Sequence, residues 1–217
     1  MHITGFGRGV TVIKWGDGES TDATPLMSVT GNGCTIENLT FDGNRANNSP
    51  SSPGQVHNLR ILSVNEVTVR NVEARSHNGD GICHTGDTVN GASGDVGGHN
   101  CTYESIYCWD NNRHGMAISG GRSITVANSH FFANNGTDVN DGVDVETASG
   151  RHAEDLAFDG CHFYNNDWNG IKIDKGIDEV VTNSTSRGNG QNGVMMDNAV
   201  ECKFTSGIVK NNSNDGV

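Results

Sequence analysis

Asp80, His114 and Asp141 each stand directly before a glycine. Each glycine opens a short run of alternating character: Gly81-Ile82-Cys83-His84-Thr85, Gly115-Met116-Ala117-Ile118-Ser119 and Gly142-Val143-Asp144-Val145-Glu146. The frame recurs at Gly170-Ile171-Lys172-Ile173-Asp174, at Gly193-Val194-Met195-Met196-Asp197 and in a cut-off Gly216-Val217. Aligned on the glycine, the position before it reads Asp80, His114, Asp141, Asn169, Asn192, Asp215. If successive frames stack, an imidazole lies between two carboxylates, which favour its charged form and suit it to proton transfer. One position earlier come Arg113, Asn140 and Trp168. A guanidinium can hold a carboxylate, and an aromatic face packs on the apolar face of a sugar ring. The spacing therefore assigns His114 to proton transfer, and Asp80, Asp141, Arg113 and Trp168 to binding and orienting the substrate.

Side chains alternate along a strand, so the second and fourth positions after each glycine point to one face. The fourth column reads Thr85, Ser119, Glu146, Asp174, Asp197. Three carboxylates about 5 Å apart raise one another's pKa unless a cation intervenes. Glu146, Asp174 and Asp197 are thus candidate calcium ligands, since calcium takes oxygen donors. A carboxylate pair at that separation also suits a retaining glycosidase, and a solvated acidic ladder is the plain alternative. The second column reads Cys83, Ala117, Asp144, Lys172, Met195, which predicts an exposed Cys83 thiol and a surface ion pair between Asp144 and Lys172. Lys172 could also neutralise a substrate carboxylate. The candidate catalytic set is His114, Lys172, Asp144, Glu146 and Asp174.

The glycines recur at a base interval of about 23 residues, with extra residues in three turns. The largest excess, Thr88 to His99, is glycine-rich and reads as a projecting loop. A second strand precedes each frame: Cys34-Thr35-Ile36, Val67-Thr68-Val69, Cys101-Thr102-Tyr103, Ile124-Thr125-Val126, Leu156-Ala157-Phe158 and Cys202-Lys203-Phe204. Asparagines at 78, 111–112, 134–135, 165–166, 189 and 211–212 lie between the two strands. A unit this short cannot bury its apolar face alone, so copies must stack. Strands repeating without a helix between them cannot build βαβ units, and coiling places equivalent strands side by side in parallel. The fold class is all-β, a right-handed parallel β-helix. Cys34, Cys101 and Cys202 share an inward column with Val67, Ile124 and Leu156, and Cys161 matches Ile106 and Val72, so these cysteines read as small core residues.

Two segments carry a family resemblance: Cys34 to Asn44 (CTIENLTFDGN) and Asn111 to Gly120 (NNRHGMAISG), with its Arg113-His114-Gly115 turn. They resemble the pectate-lyase-like superfamily, in particular β-helices of the mannuronan epimerase and alginate lyase type and of phage tail spikes. The resemblance runs from about Thr11 onward and implies a β-helix that works on an acidic polysaccharide. It also implies that Arg113 contacts a sugar carboxylate. Those epimerases carry an Asp-Pro-His-Glu strand where this chain reads Ile82-Cys83-His84-Thr85, so Cys83 stands in place of the aspartate and Thr85 in place of the histidine. Asn140 to Glu146 (NDGVDVE) fits a strand found in phage and bacterial relatives. The next rung, Ile171-Lys172-Ile173-Asp174, lacks the paired aspartates of polygalacturonases.

The net charge of −12 and the lack of a basic run argue against nucleic acid as partner. No apolar run is long enough to span a membrane as a helix. The expectations are one β-helix domain over residues 1–217, read as a fragment of a longer chain, located outside the cell or on a virion. The expected function is binding and processing of a long acidic polysaccharide as a lyase, epimerase or hydrolase. The alternatives are a non-catalytic segment of a phage spike or adhesin, a homotrimer if part of a spike, and a repeat scaffold with no glycan ligand.

Overall fold

The computed structural model describes residues 1–18, 24–48, 56–86, 98–137, 139–146 and 153–214. Most of the projecting loop expected at 88–99, and Asp215 of the turn column, lie outside the described residues. Every strand pairing is parallel, and no α-helix occurs among the described residues. One sheet of seven strands takes Met27–Val29, His57–Leu62, Asp80–Thr85, Met116–Ser119, Val143–Val145, Ile171–Asp174 and Val194–Asp197 in spatial order. The second sheet, of fourteen strands, bends into two faces. The columns read from the sequence hold: Ile82 pairs with Met116, Met116 with Val143, Val143 with Ile171, and Ile171 with Val194.

The corners explain much of the asparagine and serine. Ser105, Asn128, Asn183 and Ser206 adopt left-handed backbone at equivalent bends, a conformation that Asn reaches at low cost. A second set of asparagines points inward. The side-chain amide of Asn111 donates to Asn134 Oδ1 at 3.0 Å, Asn134 to Asn166 at 2.9 Å, Asn166 to Asn189 at 3.1 Å and Asn189 to Asn212 at 2.9 Å. Each acceptor oxygen also takes the backbone N–H of the asparagine one coil away, with sequence offsets of 23, 32, 23 and 23. The ladder also accounts for the glycine frame. A Cβ on Gly115 would come within 2.6 Å of the Gly142 carbonyl and 2.9 Å of Asn134 Nδ2.

Between the sheets lies one apolar core, with Tyr103, Phe41, Phe131, Phe158 and Phe163 fully buried. The six cysteines are free thiols; Cys34, Cys101 and Cys161 fill core positions as expected, and Cys202 is half-buried. Cys83 differs from expectation. It is 7% exposed, flanked in the sheet by Arg60 and Ala117 and packed beside His57 and Asp80. Outward direction on this sheet therefore does not mean contact with solvent.

One inward position holds an acid. Ala157 pairs with Val180 and Val180 with Lys203, so the residues before them, Leu156, Glu179 and Cys202, share a column. Glu179 is fully buried, its Oε1 has no partner, and burial pushes its pKa up to about 8. The folded chain therefore holds this proton better than the unfolded chain, whose ordinary glutamate pKa is 4.5. Its contribution to stability is complete below that value and lost as pH rises toward 8. Glu179→Gln keeps the shape and removes the titration. Denaturant unfolding on either side of pH 8 should show the variant more stable than wild type on the alkaline side, by about 1–3 kcal/mol, with the gap closing in acid.

Candidate active site

The seven-strand sheet and the turn leading into it bring two columns together. In the turn column His57 pairs with Asp80, and His114, Asp141, Asn169 and Asn192 follow coil by coil. In the strand column Arg60, Cys83, Ala117, Asp144, Lys172 and Met195 are successive neighbours. The turn column is built by one repeated bond, in which a backbone N–H donates to the side chain one coil before it. His114 N–H donates to Asp80 Oδ1 at 3.1 Å, Asp141 N–H to His114 Nδ1 at 3.2 Å, and Asn169 N–H to Asp141 Oδ1 at 2.8 Å. Asn192 N–H continues it to Asn169 Oδ1 at 3.1 Å.

This bond fixes the state of His114. Nδ1 accepts the Asp141 amide N–H and also lies 3.6 Å from Asp141 Oδ2; the bond from the amide is the one made by the neutral ring with its proton on Nε2. Nε2 lies 3.3 Å from Asp144 Oδ2. Lys172 Nζ stands 3.5 Å from Asp144 Oδ1. On the other side, Arg113 reaches Asp80 Oδ2 through Nη1 and Glu146 Oε2 through Nη2, each at 3.3 Å. His57 Nδ1 is 3.0 Å from Asp80 Oδ2.

Burial sets the electrostatics. Asp144 is 3% exposed, and burial, with Asp141 adding to it, pushes its pKa up to about 7. Burial likewise lifts Asp141 to about 6 against the bonds from Asn169. Burial opposes the charge on Lys172, but Asp144 and Asp141 outweigh it and raise its pKa. Burial also raises Asp80, yet His57 and Arg113 bring it down to about 2. Burial opposes the charged form of His57, and Asp80 and Cys83 beside it push its pKa up to about 10.

The structure gathers His114, Asp80, Asp141, Arg113, Asp144, Lys172 and Glu146 into one network. The Asp144–Lys172 pair is not the surface pair expected from the alternation, because Asp144 is buried and the Lys172 side chain is only 24% exposed. Trp168 is 38% exposed, one coil from Asn140, and its backbone N–H donates to the Asn140 carbonyl. The acidic ladder has partners of its own. Glu146 pairs with Arg113, Asp174 faces Lys175 at 3.7 Å, and Asp197 is exposed and accepts from Asn198. A calcium ion bound there would compete with Arg113 and Lys175 for these oxygens. Among the described residues two other groups could hold a metal ion: His114 with Asp141 and Asp144, and His57 with Asp80 and Cys83. The sequence reading missed His57, because its coil carries Asn58 where the others carry glycine; the alternation His57-Asn58-Leu59-Arg60-Ile61 is the signal that could have revealed it.

No protein-family profile matches the chain. Mannuronan C5-epimerases of Azotobacter vinelandii are similar in sequence. AlgE2 is 29% identical over 200 residues, covering 80% of this chain and 19% of the relative. AlgE5 is 28% identical over 211 residues, covering 85% and 20%. The chain thus spans about a fifth of the length of these curated relatives. Among solved structures, the Azotobacter vinelandii mannuronan C-5 epimerase AlgE4 A-module superposes with a TM-score of 0.67 at 21% identity, over 99% of this chain and 62% of that one. Pectate lyase Pel9A superposes at 0.60 and 17% identity, over 82% and 43%. The enzymatically active domain of bacteriophage CBA120 tailspike protein 2 does so at 0.51 and 10% identity, over 87% and 33%. The chain is a parallel β-helix. Its sequence homologues are mannuronan C5-epimerases, in line with the resemblance carried by the Ile36–Asn44 and Arg113–Gly115 segments.

Lys172→Met tests the coupling within the network. Because Lys172 lowers the Asp144 pKa from across the pair, its removal should move Asp144 above 7. A carboxyl-carbon NMR titration reads that shift, and an unmoved Asp144 would show the two groups to be uncoupled.

Proposed function

We propose that this β-helix is the working part of a polysaccharide-modifying enzyme that removes the C5 proton of a uronate residue, with epimerisation or elimination as the outcome. The observation that carries this reading is one acid–base group between two cations: Asp144, poised near neutral pH, with Lys172 on one side and Arg113 one coil below. A substrate carboxylate placed against Lys172 and Arg113 would have its charge neutralised, which acidifies the adjacent C–H and stabilises the charge that develops as the proton leaves. Pairing with the substrate would also draw Lys172 away from Asp144 Oδ1 and free that oxygen to take the proton. A group with pKa near the working pH suits accepting the proton, and inversion at C5 then needs a proton delivered to the opposite face by water or a second donor across the ring.

His114 takes a different role from the one its column first suggests. With Nδ1 accepting a backbone N–H, it turns Nε2 toward Asp144 Oδ2 at 3.3 Å and stands beside that carboxylate rather than taking the substrate proton. Asp80 anchors Arg113, Asp141 anchors Asn169 and the next coil, and Trp168 supplies an exposed face for a sugar ring. Glu146, Asp174 and Asp197 would be the oxygen donors for a calcium ion bound beside this group.

The similarity to mannuronan C5-epimerases supports a polyuronate as substrate and a location outside the cytoplasm. No helix among the described residues is long and apolar enough to cross a membrane. A specific observation favours a second reading, a binding segment of the tailspike kind that would act as a homotrimer. By the family resemblance, Cys83 and Thr85 stand where an aspartate and a histidine would be expected in an epimerase.

Incubating the full chain with polymannuronate in deuterated water separates the two readings. Proton NMR should show deuterium entering C5, with or without chain shortening. Asp144→Asn and Arg113→Leu should each reduce that rate by about 100-fold or more. Binding of the polymer with no deuterium uptake on polymannuronate, pectate or hyaluronan would sink the enzymatic reading and support the binding segment.

A further inference from the structure

We propose that His57, Asp80 and Cys83 form a binding site for a thiophilic divalent cation of the zinc type. The site goes beyond the proton-transfer reading and does not depend on it.

Two neighbouring strands, one from each of two successive coils, supply the ligands. His57 and Asp80 are sheet partners, and Cys83 lies three residues along the same strand as Asp80. One donor atom of each residue lies within 4.8 Å of the other two. His57 Nδ1 sits 3.0 Å from Asp80 Oδ2 but is not aligned to donate to any acceptor, and the ring is 3% exposed. A buried imidazole nitrogen thus faces a carboxylate oxygen and a thiol. Zinc bonds of roughly 2.0–2.3 Å place tetrahedral ligand atoms about 3.3–3.7 Å apart, so small side-chain rotations bring this group to coordination distance.

The donor types choose the metal. Thiolate and imidazole select zinc and its soft or borderline neighbours over calcium and magnesium, which need oxygen cages. Binding displaces the thiol proton of Cys83 and any proton on His57 to solvent, so affinity rises with pH. The outer support is in place as well. Asp80 Oδ1 already accepts the His114 N–H, and Arg113 holds Oδ2 from the side, which fixes the carboxylate plane. Three protein ligands leave a fourth position for water, the arrangement of an open zinc site.

Cobalt(II) is the probe. Titrating it into the full chain should produce a thiolate-to-cobalt charge-transfer band in the near ultraviolet, saturating at one equivalent and displaced by zinc. The band should vanish in Cys83→Ala and weaken at least tenfold in apparent affinity in His57→Ala. It should persist in Cys202→Ser, which removes the least buried thiol, and in His114→Ala, which removes the neighbouring group. Zinc should also slow alkylation of Cys83 by iodoacetamide, read by peptide mass spectrometry on wild-type protein, so the test does not hang on a variant folding. No band in wild type, a band that survives Cys83→Ala, or equal alkylation with and without zinc would overturn the site. None of these readouts uses polysaccharide, so failure of the proton-transfer reading leaves them unaffected.

Discussion

Parallel coils can stack only if each coil's backbone N–H groups find acceptors on the coil beside it. Along the strands, carbonyls of the neighbouring coil provide them. At the turns, where strand pairing stops, side chains must do so. The inward asparagines meet this demand at one corner, each oxygen taking both a backbone N–H and a side-chain amide from the coil beside it. At the corner before the seven-strand sheet the same demand is met by Asp80, His114, Asp141 and Asn169. The ionisable groups of the candidate site thus occupy slots that the scaffold needs filled with acceptors.

That origin accounts for their chemistry. An acceptor slot at a turn is buried on both sides by stacked coils, so the groups in it lose solvent, and burial is the largest influence on Asp141, as it is on Asp144 in the strand that follows. Losing solvent without a partner would be costly, and the network answers with cations at its rim. Arg113 bridges two carboxylates across two coils, and Lys172 sits over Asp144. The slot also dictates which nitrogen of His114 is protonated, because a backbone amide cannot give up its proton to Nδ1. A histidine that looks like a general base in sequence has, in this slot, its Nδ1 taken up by a backbone amide and its Nε2 facing the neighbouring carboxylate.

The repeat, the register and most of the site were legible because they depend on spacing. Glycine recurs where a Cβ would strike the next coil, so the frame announces itself, and with it the columns that align Asp80, His114 and Asp141. Burial was not legible. Alternation says that Cys83 and Asp144 leave the core side of the strand, but nothing in a single strand says that flanking side chains and the turn column cover them. The partners of the acidic ladder were hidden for a related reason, since Arg113 and Lys175 reach Glu146 and Asp174 from positions outside that column. His57 was hidden by the missing glycine in its coil. Glu179 was hidden because an acid at an inward position contradicts the pattern that located the column.

The most direct test of this account is the protonation of His114 itself. Nitrogen-15 NMR of the imidazole at neutral pH, through its two-bond couplings to the ring protons, distinguishes a bare Nδ1 from a protonated one. The account predicts a neutral ring with Nδ1 bare and the proton on Nε2. A ring protonated on Nδ1, whether as imidazolium or as the other neutral tautomer, would contradict it, because the Asp141 amide could then no longer be donating to that nitrogen.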